Sequence, residues 1–449
     1  MDQSFSLRNL RRIWDSQTRR GKELLPMFPD VRTAYDVARD AVREARAVSR
    51  GTVRYIGPEE SAPAVIAKAK RQAAEAALMN ALAKTSDSLI DSVEEGSFEW
   101  GLREAKLLGD RQLYEISDTP EAFFADRQLQ ASIKGILPAR PGDRQSIISG
   151  LARSLDNDLP KVVLRTDVAS FFESIDHAKL KGRIACTRLS PTSKQLINLL
   201  LTEMERLVGA PKGLPTGVGL SAKLAELYVT QVDSAIRHRP EVLFYARYVD
   251  DIVIVAADNS RHATVEADLA SLVSKQLDLL DLKLNPEKQE TSRLSEAKML
   301  RRFEFLGYSL SYAGTAGLKV EVTNQRVETL RKRVGRTFDA WDRAEPSNHG
   351  RRSLLLDRLR LLTGNTRLAN NKRNAMVGIY FSNPHVTDGA IFSGLDRFLQ
   401  HRARKSHLPA VLKEHIDRLS FVEGFKDRRV YRFTPQRIEQ LTKVWREKA

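Results

Sequence analysis

Two adjacent aspartates, Asp250 and Asp251, stand between two apolar runs in FYARYVDDIVIVA, residues 244–256. A tight hairpin joining two strands presents both carboxylates at its tip. Two like charges in a partly dry place are costly, and a divalent cation removes that cost. A solvated Asp-Asp turn fits this segment equally well. A second segment, KVVLRTDVASFFESID at residues 161–176, ends a β-branched run at Asp167. A strand end holds a metal ligand rigidly, although the same aspartate also suits a helix N-cap. Three carboxylates from two strand ends suit two cations ~3.5–4 Å apart, the arrangement that clamps attacking and leaving oxygens in phosphoryl transfer. Ligands that are all oxygen favour Mg²⁺ or Mn²⁺ over zinc. A third segment, GLPTGVGLSAKLAELYVTQVD at residues 213–233, runs a Gly/Pro loop into a helix. Its glycines at 213, 217 and 219 allow a backbone to approach a base pair closely. An ordinary turn before a helix explains them as well.

The elements that must position these groups are readable in outline. Strands are expected at 161–165, 243–248 and 251–256, with helices at 193–208 and 221–236 between them. Ahead of them the pattern is helical. Val31, Tyr35, Ala38, Val42, Ala45 and Val48 recur at helical spacing. An alanine-rich helix follows from about Pro63 to Lys84, with Ser61 as its cap, and residues 86–110 read as another helix and turn. Beyond Val322 helices return at 324–344, 351–362, 390–404 and 410–419. The expected organisation is a helical extension at 1–110, a mixed helix-and-strand region at 111–325, and a basic helical region at 326–449.

The 449 residues carry 73 Lys+Arg against 57 Asp+Glu, a formal net charge of +16. Residues 326–449 hold 27 basic and 13 acidic residues, so +14 of the excess lies there and only +2 in the first 325 residues. An excess gathered at one end points to a polyanionic partner, nucleic acid before anionic lipid. The single cysteine, Cys186, excludes an internal disulfide or a multi-cysteine zinc site and fits a reducing compartment. No apolar run approaches the ~20 residues of a membrane helix. The expectation is a soluble, cytoplasmic protein that does not enter membranes.

The order of the segments is more specific than any one of them. D-x₄-F, then G-L-P-x-G with a following S and LAE, then Y-x-D-D, then LNPEK, then FEFLGY, together resemble the palm of a reverse transcriptase. The resemblance spans about residues 111–311. It implies an α+β fold, the fingers and palm of a right-hand polymerase with an antiparallel palm sheet, here joined to helical N- and C-terminal regions. It also implies RNA-directed DNA synthesis from deoxynucleoside triphosphates with two Mg²⁺ (or Mn²⁺) ions.

Residue by residue, Asp167 matches the first catalytic aspartate, with Val168 beside it at the metal, and Asp250 and Asp251 match the YxDD pair. Phe172 matches the aromatic gate that collides with a 2′-hydroxyl. Leu214, Pro215, Thr216 and Gly217 match the loop that touches the incoming base pair, although Thr216 stands where family members often have Gln. Lys288 matches the lysine proposed to protonate the pyrophosphate. Phe305, Leu306, Gly307 and Tyr308 match the primer grip. Arg140 and Arg144 are the fingers arginines whose forks suit a triphosphate.

The extension before the fingers and the basic tail resemble the abortive-infection and unknown-group enzymes of bacterial defence. Residues 4–25 and 358–383 look most like one polymerase of a type 3 defence system. That resemblance implies a small non-coding RNA template, a DNA product, a second reverse transcriptase subunit, an oligomer and phage defence. The Val-Thr-Gly and N-A-x-x-H elements of retron enzymes are not found. Independently, Asn365, Arg367, Lys372 and Arg373 lie in an amide- and cation-rich stretch suited to phosphate and base edges; an Asn-rich helix connection is the alternative. Untemplated or protein-primed synthesis by the same carboxylates, and a non-catalytic RNA-binding scaffold, are the competing readings.

Overall fold

The computed structural model describes residues 2–59, 62–109, 111–138, 143–157, 159–258, 264–294, 302–312, 317–344, 350–368 and 375–446. The chain forms two compact units, each discontinuous in sequence. One comprises residues 1–138, 170–231 and 278–282, and the other residues 139–169, 232–277 and 283–449.

The first unit is mainly helical. Leu7–Arg19 buries Leu10, Ile13 and Trp14 on one face, and Trp14 meets Phe28 edge-on at 5.8 Å. Pro29–Ser49 packs along Pro63–Glu94, whose buried face carries Ala67, Ala74, Leu78, Leu82, Leu89 and Val93. The small alanines let the two helices approach closely. The second of these helices continues ten residues past its expected end, and its expected cap, Ser61, lies outside the described residues. The helix and turn expected at 86–110 are instead the end of this helix followed by a hairpin, β1 (Arg103–Leu108) and β2 (Arg111–Glu115). Gly96 and Gly101 at positive φ break the helical path. Buried Trp100 anchors the break: its indole N–H donates to the Leu196 carbonyl at 2.9 Å, and the Glu203 carboxylate accepts from the amides of Trp100 and Leu102. Helices Pro120–Ile136, His177–Ala185, Pro191–Val208 and Gly219–Tyr228 complete the unit. The single helix expected at 221–236 is divided at Val229, and its second part is Thr230–Arg237.

The second unit is built on a four-stranded antiparallel sheet in the order β4-β5-β3-β6, where β3 is Lys161–Asp167, β4 Val242–Tyr248, β5 Asp251–Ala257 and β6 Glu290–Leu294. The two central strands, β3 and β5, are almost wholly buried, which explains their continuous β-branched runs. Helix Arg144–Leu155 lies on β4, and Gly150 admits the Phe244 ring where a Cβ would stand 2.7 Å from it. Lys161 is buried at the start of β3, and its ammonium donates to the carbonyls of Ser154, Leu155 and Asn157 at the end of that helix. This is the favourable end of the helix dipole for a cation.

A three-stranded antiparallel sheet follows: β7 (Phe303–Phe305), β8 (Tyr308–Tyr312) and β9 (Leu318–Val322). Helices Asn324–Arg343, Arg351–Thr363, Ser393–Lys405, Ala410–Asp417, Phe421–Lys426 and Pro435–Arg446 make up the basic end. A small sheet in the order β11-β10-β12 lies among them, formed by β10 (Asn365–Arg367), β11 (Met376–Gly378) and β12 (Val430–Tyr431). One continuous apolar core runs from Ile147 and Val163 through Tyr308 and Phe338 to Phe421. The fold is mixed helix and sheet, with the α+β character and antiparallel central sheet expected. Among the described residues no helix is long and apolar enough to cross a membrane.

Candidate active site

The register of the four-stranded sheet assembles the carboxylates. Asp167, the last residue of β3, pairs directly with Asp251, the first of β5. Tyr248 pairs with Asp251 across the β4–β5 hairpin, so Val249 and Asp250 form a two-residue turn. The Val168 amide donates to the Asp250 carbonyl at 3.1 Å and ties the end of β3 to this turn. Asp167 is therefore a strand-end residue and not a helix cap.

Its side chain is buried, at 6% exposure, while Asp250 and Asp251 are half-buried. Burial pushes the Asp251 carboxyl above the ordinary carboxylate range, and the charges of Asp250 and Asp167 push it further; Arg165 and Lys288 act the other way. Lys288 sits in the short turn Pro286–Lys288 immediately before β6, and the antiparallel β3–β6 pairing returns this turn to the end of β3. Its ammonium donates to Asp167 Oδ2 at 2.5 Å, and that bond holds the lysine pKa above its usual value despite some burial.

Carboxylate oxygens suit a hard divalent cation, and burial together with repulsion from Asp250 and Asp167 raises the Asp251 pKa. Among the described residues no three His, Cys, Asp or Glu side chains already close into a cage. The Lys288 ammonium is what Asp167 faces instead.

Sequence reasoning missed the support beneath the turn. The Arg247 side chain is 2% exposed and grips Asp233 with both arms of its fork, Nε to Oδ1 at 2.9 Å and Nη2 to Oδ2 at 3.0 Å. The Tyr245 hydroxyl donates to the same Oδ1 at 2.6 Å, and Arg247 Nη1 donates to the Val249 carbonyl at 2.6 Å. Val249 has φ 62°. A β-branched residue in the left-handed region is strained, and the buried guanidinium fixes its carbonyl. The available signal was a lone arginine inside an otherwise apolar strand.

Residues 124–310 match the family model described as reverse transcriptase (RNA-dependent DNA polymerase). That stretch, less than half of the chain, is similar to reverse transcriptases. A curated relative, the retron Mx162 reverse transcriptase of Myxococcus xanthus, is 23% identical over 199 residues, which is 39% of this chain and 41% of the relative. The chain thus spans less than half the length of that relative. A solved structure of apo telomerase from Candida tropicalis, truncated from its C-terminal domain, is similar over 44% of this chain and 45% of its own, at 12% identity and TM-score 0.33.

Within the matched stretch, the Phe305–Tyr308 hairpin is partly core. Phe305 and Tyr308 are fully buried, so the grip expected of all four residues narrows to Leu306 and Gly307 at the half-exposed tip. Arg144 lies on this hairpin. Its Nε donates to the Leu306 carbonyl at 2.6 Å and its guanidinium covers the Tyr308 ring at 4.7 Å. These contacts tie Arg144 to the hairpin and leave its Nη2 without a hydrogen-bond partner. Arg140 lies outside the described residues.

The remaining expected site residues, Phe172 and the loop at 214–217, belong to the first unit. Phe172 is half-buried, packs edge-on against Phe171 at 5.5 Å, and its carbonyl accepts from the Leu214 amide at 2.9 Å. The Gly/Pro loop is held in place by the β1–β2 hairpin. Leu214 and Pro215 are buried, and the Thr216 carbonyl accepts from the Tyr114 amide of β2 at 2.7 Å. At Gly217, φ 110°, a Cβ would stand 2.7 Å from the Tyr114 carbonyl. The glycine is thus required by close packing on β2, and Thr216 and Gly217 are the loop residues with exposed surface.

In the amide- and cation-rich stretch the reading of Asn365 is corrected. Asn365 is 1% exposed. Its Nδ2 donates to the carbonyls of Gly424 and Arg429, and its Oδ1 accepts from the amides of Tyr380 and Phe381. All its hydrogen-bonding capacity joins elements of the basic end, and none is left for nucleic acid. Arg367 is exposed at the end of β10; Lys372 and Arg373 lie outside the described residues.

Proposed function

We propose that this protein is an RNA-directed DNA polymerase whose reaction centre is Asp167, Asp250, Asp251 and Lys288. The observation that carries the reading is the register that sets Asp167 opposite Asp251 beside a fixed turn holding Asp250. Two Mg²⁺ or Mn²⁺ ions held by these carboxylates would activate the primer 3′-hydroxyl and neutralise the triphosphate. Asp167 and Asp251 offer their carboxylates from paired strand ends, so their separation is set by the sheet. Arg247 keeps the turn from shifting Asp250. Lys288, held charged by Asp167, is the proton donor for departing pyrophosphate. Phe172 selects against a 2′-hydroxyl.

The test is incorporation of labelled deoxynucleotides by purified protein on a primed RNA template. Asp250→Asn should lower it by about 10³-fold or more while leaving the unfolding midpoint little changed. A fully active D250N protein, or a wild-type protein inert on every template, overturns the reading. Phe172→Ala should raise ribonucleotide incorporation. Product that partitions with protein on phenol extraction would favour protein priming over a nucleic-acid primer.

The narrower reading is a cytoplasmic phage-defence enzyme that copies a small non-coding RNA and assembles with a second reverse transcriptase subunit. It is supported by the likeness of residues 4–25 and 358–383 to a defence polymerase. Sequencing the RNA and DNA that copurify with the protein tests it, and random cellular RNA would overturn it.

A further inference from the structure

Arg144 and Arg326 flank one ring. Their guanidinium carbons lie 4.7 Å and 6.0 Å from the centre of Tyr308, whose hydroxyl donates to Gln145 Oε1 at 2.9 Å. The two groups converge on one point. A Cβ built at Gly307 would stand 3.3 Å from Arg326 Nε and 3.4 Å from Arg144 Nη2. Gly307, at φ 74°, keeps that point open.

Two half-buried cations so close repel each other, and among the described residues neither has a carboxylate partner. Arg326 Nη1 donates to Asn383 Oδ1 at 2.8 Å, and Arg144 Nε to the Leu306 carbonyl. Arg144 Nη2 is buried with no hydrogen-bond partner. Asp143, next in sequence, is engaged in capping the Arg144–Leu155 helix through the amides of Gln145 and Ser146. Burial lowers the Arg326 pKa, and the Arg144 charge lowers it further. His385 adds a third nitrogen, Nε2, buried without a partner beside the same tyrosine.

Buried charge is normally paired within the protein; among the described residues the two arginines of this cluster make no ion pair. Paired guanidinium forks match phosphate oxygens.

We propose that Arg144 and Arg326, on either side of Tyr308, form a phosphate-binding clamp over Gly307. Its ligand is a phosphate group, supplied by a nucleic-acid strand or by a nucleotide. That choice of sources rests on the polymerase reading; the anion site does not.

Thermal unfolding of the full chain with added inorganic phosphate tests the site without any activity. Phosphate should raise the wild-type midpoint and leave Arg326→Gln unmoved; glutamine keeps a donor for Asn383 and removes the charge. Arg144→Lys, which keeps the charge and loses the fork, should respond weakly. Binding of a labelled primer–template across a salt series then identifies the source. A strand phosphate predicts about tenfold weaker binding by R326Q and a salt slope smaller by about one. A nucleotide phosphate predicts unchanged duplex binding and a higher KM for deoxynucleotides. If phosphate moves the wild type and R326Q equally, or moves neither, the clamp is overturned. If phosphate distinguishes them in a protein that incorporates no nucleotide, the clamp stands and the polymerase reading falls.

Discussion

Two hairpin turns in the second unit solve the same mechanical problem in different electrostatic ways. Val249 at φ 62° and Leu306 at φ 48° are both branched residues in the left-handed region, each first in a two-residue turn. In each turn an arginine donates to the carbonyl of that residue at 2.6 Å, Arg247 to Val249 and Arg144 to Leu306. The first arginine is buried and neutralised by Asp233; the second is half-buried and stands beside another arginine. If the first turn gathers cations around carboxylates, as proposed, it would gain from a neutral support that does not compete with them. If the second receives phosphate, it would gain from a support that keeps its charge. The geometry of holding is shared, and the counter-ion separates the roles.

The largest effect that can break this comparison is on stability. Asp233→Ala would take away the carboxylate that both arms of the buried Arg247 fork grip, which costs about 3–5 kcal/mol. Arg326→Gln removes a cation that has no carboxylate partner among the described residues, so its cost should stay within about 1 kcal/mol, the worth of one ordinary hydrogen bond. Urea unfolding of the two variants measures both. Equal losses would show that the second pair of arginines is as structurally committed as the first. Arg247→Lys should fall between them: the charge remains and the fork is lost. Its nucleotide incorporation should decline more than its stability, since the bond to the Val249 carbonyl is what fixes Asp250.

How far the sequence reveals this comparison depends on whether the relevant contacts are local. Asp167, Asp250 and Asp251 are legible because each ends or begins an apolar run, and strand ends can be read from the residues beside them. The Arg247–Asp233 pair is not, since its members lie 14 residues apart on a helix and a strand. Asn365 was misread for the same reason: its partners Gly424 and Arg429 lie 59 and 64 residues away. An asparagine among asparagines and arginines looks like surface until those carbonyls are in place. The β1–β2 hairpin escaped notice because Leu107 and Leu108 are adjacent, apolar and exposed, which no alternating pattern would produce. The basic C-terminal excess was legible as composition. Its internal sheet was not, because strands of two or three residues leave no periodicity to read.

A smaller effect concerns strain. Val249→Gly removes a β-branched side chain from the left-handed region, a relief of ~1–3 kcal/mol, against up to ~1 kcal/mol for the added freedom of glycine when unfolded. The net should be a gain of about 1 kcal/mol, with slower incorporation if the strained residue holds Asp250 in place. Leu306→Gly should gain less, because Leu306 packs against the core and loses that contact. Unfolding midpoints and single-turnover rates for both variants compare the turns directly. A Val249→Gly protein that is both less stable and fully active would show that the left-handed valine carries no functional load.

The smallest effect is a dependence on acid that only the second turn should show. His385 lies beside Tyr308 and its pKa is lowered, first by burial and also by the Arg144 charge; the Gln145 backbone and Asp143 act the other way. Because the folded pKa is below the unfolded one, the unfolded chain takes up the proton first as pH falls through about 6.5. Stability from this group is therefore full above that pH and declines as pH drops toward the folded value. Among the described residues, the groups that shift the Asp251 carboxyl include no histidine. His177, in the other compact unit, is shifted the same way by burial and contributes a parallel loss. Replacing it leaves the His385 contribution to be read alone. In an H177N background, His385→Asn should flatten the fall in urea midpoint between pH 7 and pH 5.5, and phosphate should shift the wild-type midpoint upward across that range. An unaltered pH profile in the double variant would mean that the cationic cluster at Tyr308 does not oppose protonation of His385, and the electrostatic contrast between the two turns would lose one of its supports.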